Sequence, residues 1–130
     1  MAQPEVAKAV GELNRAGALG TCLPLMLEAG FSARSVRDHE RIMDVFGPWR
    51  VLTAPPDLND RAIMLQHQLF GAGMGRGAGA FDIEVAAYAL SYTLSGGPVA
   101  IVHYDEDYDH LRDIEPRLLT RWVVPRGSVD

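Results

Sequence analysis

Three carboxylates in this sequence, those of Glu28, Asp82 and Asp105, could act together at a metal ion. Carboxylate oxygens are the ligands that Mg²⁺ and Mn²⁺ prefer in proteins. Such ions activate water and stabilise both the attacking and the leaving oxygen at a phosphate. Three acids that converge without a histidine or cysteine partner would therefore indicate metal-assisted phosphate chemistry.

Each of these acids also has a purely structural interpretation. Asp82 could be a helix N-cap, where a carboxylate satisfies free backbone N–H groups. Asp105 stands in a run of acids and could be an exposed loop residue. Glu28 is harder to explain in this way, because residues 25–27 and Ala29 around it are apolar and a lone carboxylate beside a core is costly.

Three other motifs fail when their spacing is checked. The alternating aspartates at 105, 107 and 109 imitate the start of an EF-hand loop, but His110 stands where that loop needs glycine. The glycine-rich residues 75–80 loosely match a dinucleotide-binding pattern, yet they follow a predicted helix rather than a strand. Cys22, the only cysteine, lies in a predicted strand, where packing explains it better than nucleophilic chemistry.

The elements that must position the three acids follow from the hydrophobic pattern. It predicts helices over residues 5–16, from 24 to at least 29, from Ser35 to about 46, from Asp57 to 69 and from 82 to about 94, and strands over 18–22, 49–53, 99–103 and 118–124. The pattern over residues 99–103 predicts a strand that is fully buried. This alternation of helices and strands predicts an α/β fold with a mostly parallel sheet.

The predicted topology brings the three acids to one edge of the sheet. Ligands of open α/β sheets bind beyond the carboxyl ends of the strands. Glu28 follows the first predicted strand, Asp105 follows the third, and Asp82 begins the helix that leads into the third. We therefore expect their side chains to lie close together.

Composition and charge narrow the class of protein. A length of 130 residues suits a single domain, and a hydrophobic content of 48% suits a globular protein. A single cysteine, the absence of a visible signal peptide and the absence of an apolar run of about 20 residues predict a cytoplasmic protein without a membrane segment. The formal charge of −5 argues against nucleic-acid binding by long-range attraction, but not against a nuclease that uses bound cations.

Several segments together carry a family resemblance. They are AGALGTC followed by LMLE in residues 16–28, FSARS in 31–35, GRG ahead of FDIEVAA in 75–87, HYDEDYD in 103–109 and WVVPRGS in 122–128. In this order and spacing they resemble the PIN-domain ribonucleases of the VapC toxin family. The resemblance implies a PIN-like three-layer α/β/α fold, with residues 1–130 forming a single domain.

The resemblance also implies a set of site residues, a cofactor and partners. Glu28, Asp82 and Asp105 would be the catalytic ligands of Mg²⁺ (or Mn²⁺), and Asp107 an accessory ligand. The implied activity is cleavage of RNA, often tRNA or rRNA, under the control of a VapB-type antitoxin, and the implied assembly is a homodimer.

Two arginines are candidates for contacts with RNA phosphates. Arg34 lies in the FSARS segment, and Arg76 lies in the GRG segment. Arginine suits bidentate contact with phosphate. Each of the two could equally be an ordinary solvated surface residue.

Two departures from the family pattern leave alternatives open. Family members begin with a short strand that ends in an Asp, whereas this sequence starts at Met1 at a point inside the first helix. We therefore expect residues 1–130 alone to have little activity. We expect a version that is extended upstream to cleave RNA. Glu84 also replaces a usually apolar residue. Two alternatives to a metal-dependent ribonuclease stay open. One is an inactive PIN-like module that only binds antitoxin or RNA, and the other is an unrelated small α/β binding domain.

Overall fold

A computed structural model describes residues 4–127 of the chain. Met1, on which the predicted absence of a first strand depends, lies outside these residues, as does the end of the WVVPRGS segment. In the described part the order of elements is α1 (Pro4–Arg15), β1 (Gly20–Cys22), α2 (Leu23–Phe31), α3 (Val36–Val45), β2 (Arg50–Leu52), α4 (Leu58–Gly71), α5 (Ala80–Leu94), β3 (Ala100–His103), α6 (Asp107–Ile114) and β4 (Leu119–Trp122).

The strands form two parallel pairs within residues 4–127. Strand β1 pairs with β2 in the register Gly20↔Arg50, and β3 pairs with β4 in the register Ala100↔Leu119. The predicted parallel arrangement is confirmed, and the described strands fall into two separate two-stranded sheets. None of the helices in this range combines the length and the apolar character needed to cross a bilayer.

Helix α5 lies at the centre of the core. Its residues from Val85 to Ser91 are all buried, so this part of the helix is covered on every side. Helix α4 packs against it through a stripe of buried leucines at i, i+7 and i+11, namely Leu58, Leu65 and Leu69. The core therefore rests on contacts between helices, and it fixes the start of α5 relative to α4, α6 and β3.

The prediction that residues 99–103 form a fully buried strand is wrong in part. Ile101 and His103 are buried in β3, whereas Ala100 is exposed. This alternation is that of a strand with one covered face, because successive side chains of a strand point to opposite sides. Helix α5 packs against β3, so only one set of its side chains enters the core.

Ser35 and Asp57, where two of the predicted helices begin, both occupy N-cap positions but make different contacts. The backbone N–H of Asp38 donates to the Ser35 hydroxyl at 3.0 Å, so the Ser35 side chain caps α3. Asp57 occupies the N-cap position of α4, but its side chain makes no capping hydrogen bond. Its carboxylate instead forms an ion pair with Arg61, one turn further along the helix.

Candidate metal site

Asp82 lies in the first turn of α5, as the third residue of that helix. The N-cap position belongs to Gly79, so the interpretation of Asp82 as an N-cap is wrong. Its side chain is half-buried. The positive end of the helix dipole stabilises a carboxylate at this place, while the core around α5 fixes where that carboxylate points.

Asp105 and Asp107 enter the site from the connection between β3 and α6. Asp105 is the second residue after the strand and is exposed, and Asp107 is the first residue of α6 and is half-buried. The backbone N–H of Asp107 donates to Asp105 Oδ1 at 2.9 Å. This hydrogen bond sets the orientation of the Asp105 carboxylate at the end of β3.

Three carboxylates converge at this point, and we call Asp82, Asp105 and Asp107 the acidic group. One carboxylate oxygen from each residue lies within 4.8 Å of the other two. Burial raises the pKa of Asp107, and the nearby charges of Asp105 and Asp82 raise it further. A cation would relieve this repulsion, and an all-oxygen donor set fits a hard ion such as Mg²⁺ or Mn²⁺.

Tyr108 holds the Asp82 carboxylate in place. The buried tyrosine hydroxyl donates to Asp82 Oδ1 at 2.8 Å. Burial raises the pKa of Tyr108, and the hydrogen bond to Asp82 raises it further, so the phenol keeps its proton and remains a donor. The sequence reasoning missed this residue, because a contact between positions so far apart follows from the packing of α6 on α5 and leaves no local pattern.

His103 fixes the backbone of Asp105. Its ring is buried against those of Tyr108 and Trp122, with centroids 5.0 and 4.9 Å away. The Asp105 N–H donates to His103 Nδ1 at 3.2 Å, so Nδ1 carries no proton. Burial lowers the pKa of His103, in keeping with a neutral ring. In the sequence, His103 is visible only as a histidine at the end of an apolar strand, and this does not predict its hydrogen bond with Asp105.

Glu28 is not part of the acidic group. Its side chain is exposed on α2, and it is not among the carboxylates that converge within residues 4–127. Leu23 and Leu27 on the same helix are 57% and 63% exposed, so Glu28 does not stand beside a closed apolar core and the predicted cost of its burial does not arise. Its role as a metal ligand stays a prediction.

The two predicted RNA-binding arginines occupy different surroundings. Arg34 is exposed just before α3, and its backbone N–H donates to Asp38 Oδ2 at 3.0 Å. Arg76 is exposed in the segment between α4 and α5, where it lines a cavity together with His110. His110 Nδ1 lies 3.9 Å from Asp107 Oδ1, so this cavity adjoins the acidic group.

Comparison with known proteins bears on the resemblance. The chain matches no protein-family model. It is 28% identical to Ribonuclease VapC51 of Mycobacterium tuberculosis (strain ATCC 25618 / H37Rv), over all of this chain and 90% of that protein. It is 32% identical to Ribonuclease VapC18 of the same strain, over 98% of this chain and 90% of that protein. Ribonuclease VapC21 of the strain CDC 1551 / Oshkosh is 29% identical over 96% of this chain.

These likenesses extend along nearly the whole chain, so they are not confined to the acidic segments. They confirm the family predicted from the five segments, and the mixed fold with parallel strand pairs agrees with the α/β/α fold of that family. The chain therefore belongs to the VapC toxin family of PIN-domain ribonucleases.

Proposed function

We propose that this protein is a metal-dependent endoribonuclease and the toxin of a type II toxin–antitoxin system, with a Mg²⁺ (or Mn²⁺) site at the acidic group. The observation that carries the proposal is the convergence of three carboxylate oxygens within 4.8 Å of one another. The similar proteins are named ribonucleases, which supports phosphodiester cleavage as the chemistry at such a site.

The proposed ligands are Asp82, Asp105 and Asp107. Glu28 is proposed as a further ligand on the family resemblance alone. A divalent ion bound by these carboxylates would lower the pKa of water and neutralise charge on the phosphate. The donor set fits this role, since carboxylates supply negative charge without the soft ligands that select zinc or copper.

The surrounding residues prepare the carboxylates for this role. Tyr108 donates to Asp82 and fixes one of its oxygens, while His103 and the Asp107 N–H fix the backbone and the side chain of Asp105. Outer hydrogen bonds of this kind orient ligands and increase the affinity of a site. Because the pKa of Asp107 is raised, acidification protonates it more readily and should weaken metal binding.

The remaining parts of the proposal concern partners and setting. We infer that the substrate is RNA, of the tRNA or rRNA class, and that Arg34 and Arg76 contact its phosphates. A VapB-type antitoxin would inhibit the enzyme, and a homodimer would be its assembly. We place the protein in the cytoplasm, as a single PIN domain.

The protein to assay is the one that its gene encodes, with any residues upstream of Met1. Its cleavage of RNA should stop when divalent ions are removed. Chelation with EDTA should abolish the cleavage of total cellular RNA, and added Mg²⁺ or Mn²⁺ should restore it, because the bound ion is proposed to activate the attacking water. Gel analysis of the RNA measures this, and growth after induced expression measures toxicity. Cleavage that continues unchanged in EDTA contradicts the metal site, and inactivity with both ions and no growth arrest contradicts the ribonuclease.

Removal of the Tyr108 hydroxyl should weaken metal binding. We expect Tyr108→Phe to lower Mn²⁺ affinity about 10-fold, because Asp82 loses the donor that orients it. Calorimetric titration measures the affinity. Tyr92→Phe is the matched control, since its hydroxyl bonds to the Thr53 carbonyl, outside the acidic group. Equal losses in the two variants would show that the Asp82 contact has no special role.

A further inference from the structure

A cavity of about 520 Å³ adjoins the acidic group, between the end of α4 and the start of α6. Its walls are Phe70, the glycine-rich residues 73–77 and His110. Cavities of this size hold small organic groups. Nothing in the proposed metal chemistry uses it.

One wall of the cavity is an aromatic ring held against the backbone. The Phe70 side chain is 63% exposed, and a Cβ built on Gly75 would lie 2.7 Å from its Cζ atom. Only glycine at this position lets the ring lie so close to the main chain. Part of the ring thus contacts the main chain while most of the side chain stays exposed, so a planar ligand could stack on it with little loss of side-chain freedom.

The other walls carry nitrogen donors. His110 Nδ1 donates to the Gly77 carbonyl oxygen at 2.7 Å, which fixes the imidazole and leaves Nε2 to meet an occupant. A Cβ on Gly77 would lie 3.0 Å from the Met74 carbonyl oxygen and 3.3 Å from His110 Cβ, so a larger residue would crowd this wall. Arg76 adds an exposed guanidinium, the group that matches the geometry of phosphate.

We propose that this cavity binds one unpaired base of the RNA strand that is cleaved at the acidic group. Phe70 would stack on the base, His110 would contact its edge, and Arg76 would bind the adjoining phosphate. This assignment rests on the proposed ribonuclease function, and it adds to that function a site for one base beside the point of cleavage. Proteins read single-stranded RNA by stacking bases on aromatic side chains.

Position and charge both favour a nucleotide over a protein segment. His110 lines the cavity, and its Nδ1 lies 3.9 Å from Asp107 Oδ1, so a strand with one phosphate at the acidic group could place its neighbouring nucleotide at the cavity. An apolar peptide side chain would use the Phe70 ring but would leave the Arg76 charge without a function. A nucleotide satisfies both, because it joins a planar base to a phosphate.

Binding of single-stranded RNA should separate the roles of these residues. In Asp82→Asn protein, which should not consume the RNA, we expect Phe70→Ala to weaken binding of an RNA decamer about 10-fold and Phe70→Trp to retain it. Arg76→Gln should reduce the slope of affinity against salt by about one, whereas Phe70→Ala should not. Fluorescence anisotropy measures both quantities, and Ile63→Ala, an exposed apolar residue of the same helix, is the control.

An abasic nucleotide placed in turn at each position of the decamer provides the decisive comparison. At one position next to the cleaved bond, removal of the base should erase the difference in RNA affinity between the protein with Phe70 and its Phe70→Ala variant. If Phe70→Ala binds RNA as tightly as the parent protein, the base site is wrong. It is also wrong if this variant loses binding of the co-expressed antitoxin alone, which would make the cavity a protein-docking surface.

The two proposals can fail separately. If the protein with all its natural residues cleaves RNA, and Phe70→Ala cleaves it equally well at the same positions, only the base site fails. If no form of the protein cleaves or binds RNA, the ribonuclease proposal itself fails and the base site fails with it. Melting temperatures of the variants identify any that do not fold.

Discussion

Asp82→Asn should lower metal-dependent RNA cleavage about 1,000-fold, the largest effect that we expect from a single change at the site. The substitution keeps the shape of the side chain and a carbonyl oxygen that can still accept from Tyr108, but it removes one negative charge from the acidic group. Both the metal and the charge that develops on the phosphate then lose electrostatic support. Initial rates on a defined RNA, at saturating Mg²⁺ or Mn²⁺, measure the effect.

Glu84→Gln is the matched control for this variant. Glu84 lies in the same first half of α5, is exposed and is not part of the acidic group, so its neutralisation should change the rate less than twofold. Glu84 replaces a residue that is usually apolar in the family, and the comparison tests whether its charge contributes to the rate. If Asp82→Asn retains most of the activity, or if both variants lose it equally, the acidic group is not the catalytic centre.

The second large effect concerns stability. Leu65→Ala should lower the free energy of unfolding by about 3 kcal/mol, because Leu65 is completely buried between α4 and α5 and its truncation leaves a cavity. Denaturation in urea measures the change as a lower midpoint with an unchanged slope. A loss of this size is a large fraction of the total stability of a small domain.

Ile63→Ala provides the comparison on the same helix. Ile63 is 68% exposed, so its truncation should cost less than about 0.5 kcal/mol. Both changes introduce alanine into α4. The difference between the two losses of unfolding free energy therefore reports mainly the difference in burial. Equal losses would show that α4 does not pack on α5 as described.

The sequence predicted most of the elements but not how they pack. Period-3.6 patterns marked the helices, including the buried stripe of α4, because helix periodicity is a local property. The burial of β3 was predicted less well, since an apolar strand can have one covered face or two, and the neighbours that decide this are distant in sequence. The division of the described strands into two pairs is likewise a matter of tertiary contacts.

The candidate site was predictable in part. Glu28, Asp82 and Asp105 were all expected to converge at the carboxyl edge of the predicted sheet. The structure brings Asp82 and Asp105 together, whereas Glu28 is not in the group that they form. Asp107 was expected only as an accessory ligand, yet it stands in the same group. Tyr108 and His103 were missed, because a tyrosine or histidine gives no sign in the sequence of which carboxylate or backbone N–H it will meet.

The division of the strands also bears on the order in which the site forms during folding. Asp105 and Asp107 are only two residues apart, so the local hydrogen bond between them brings their side chains together early. Asp82 joins them only when α5 docks, through contacts that span a longer stretch of chain. We therefore expect any affinity for divalent ions to appear late in refolding, with the closure of the helical core, so that an incompletely folded protein would lack the candidate metal site.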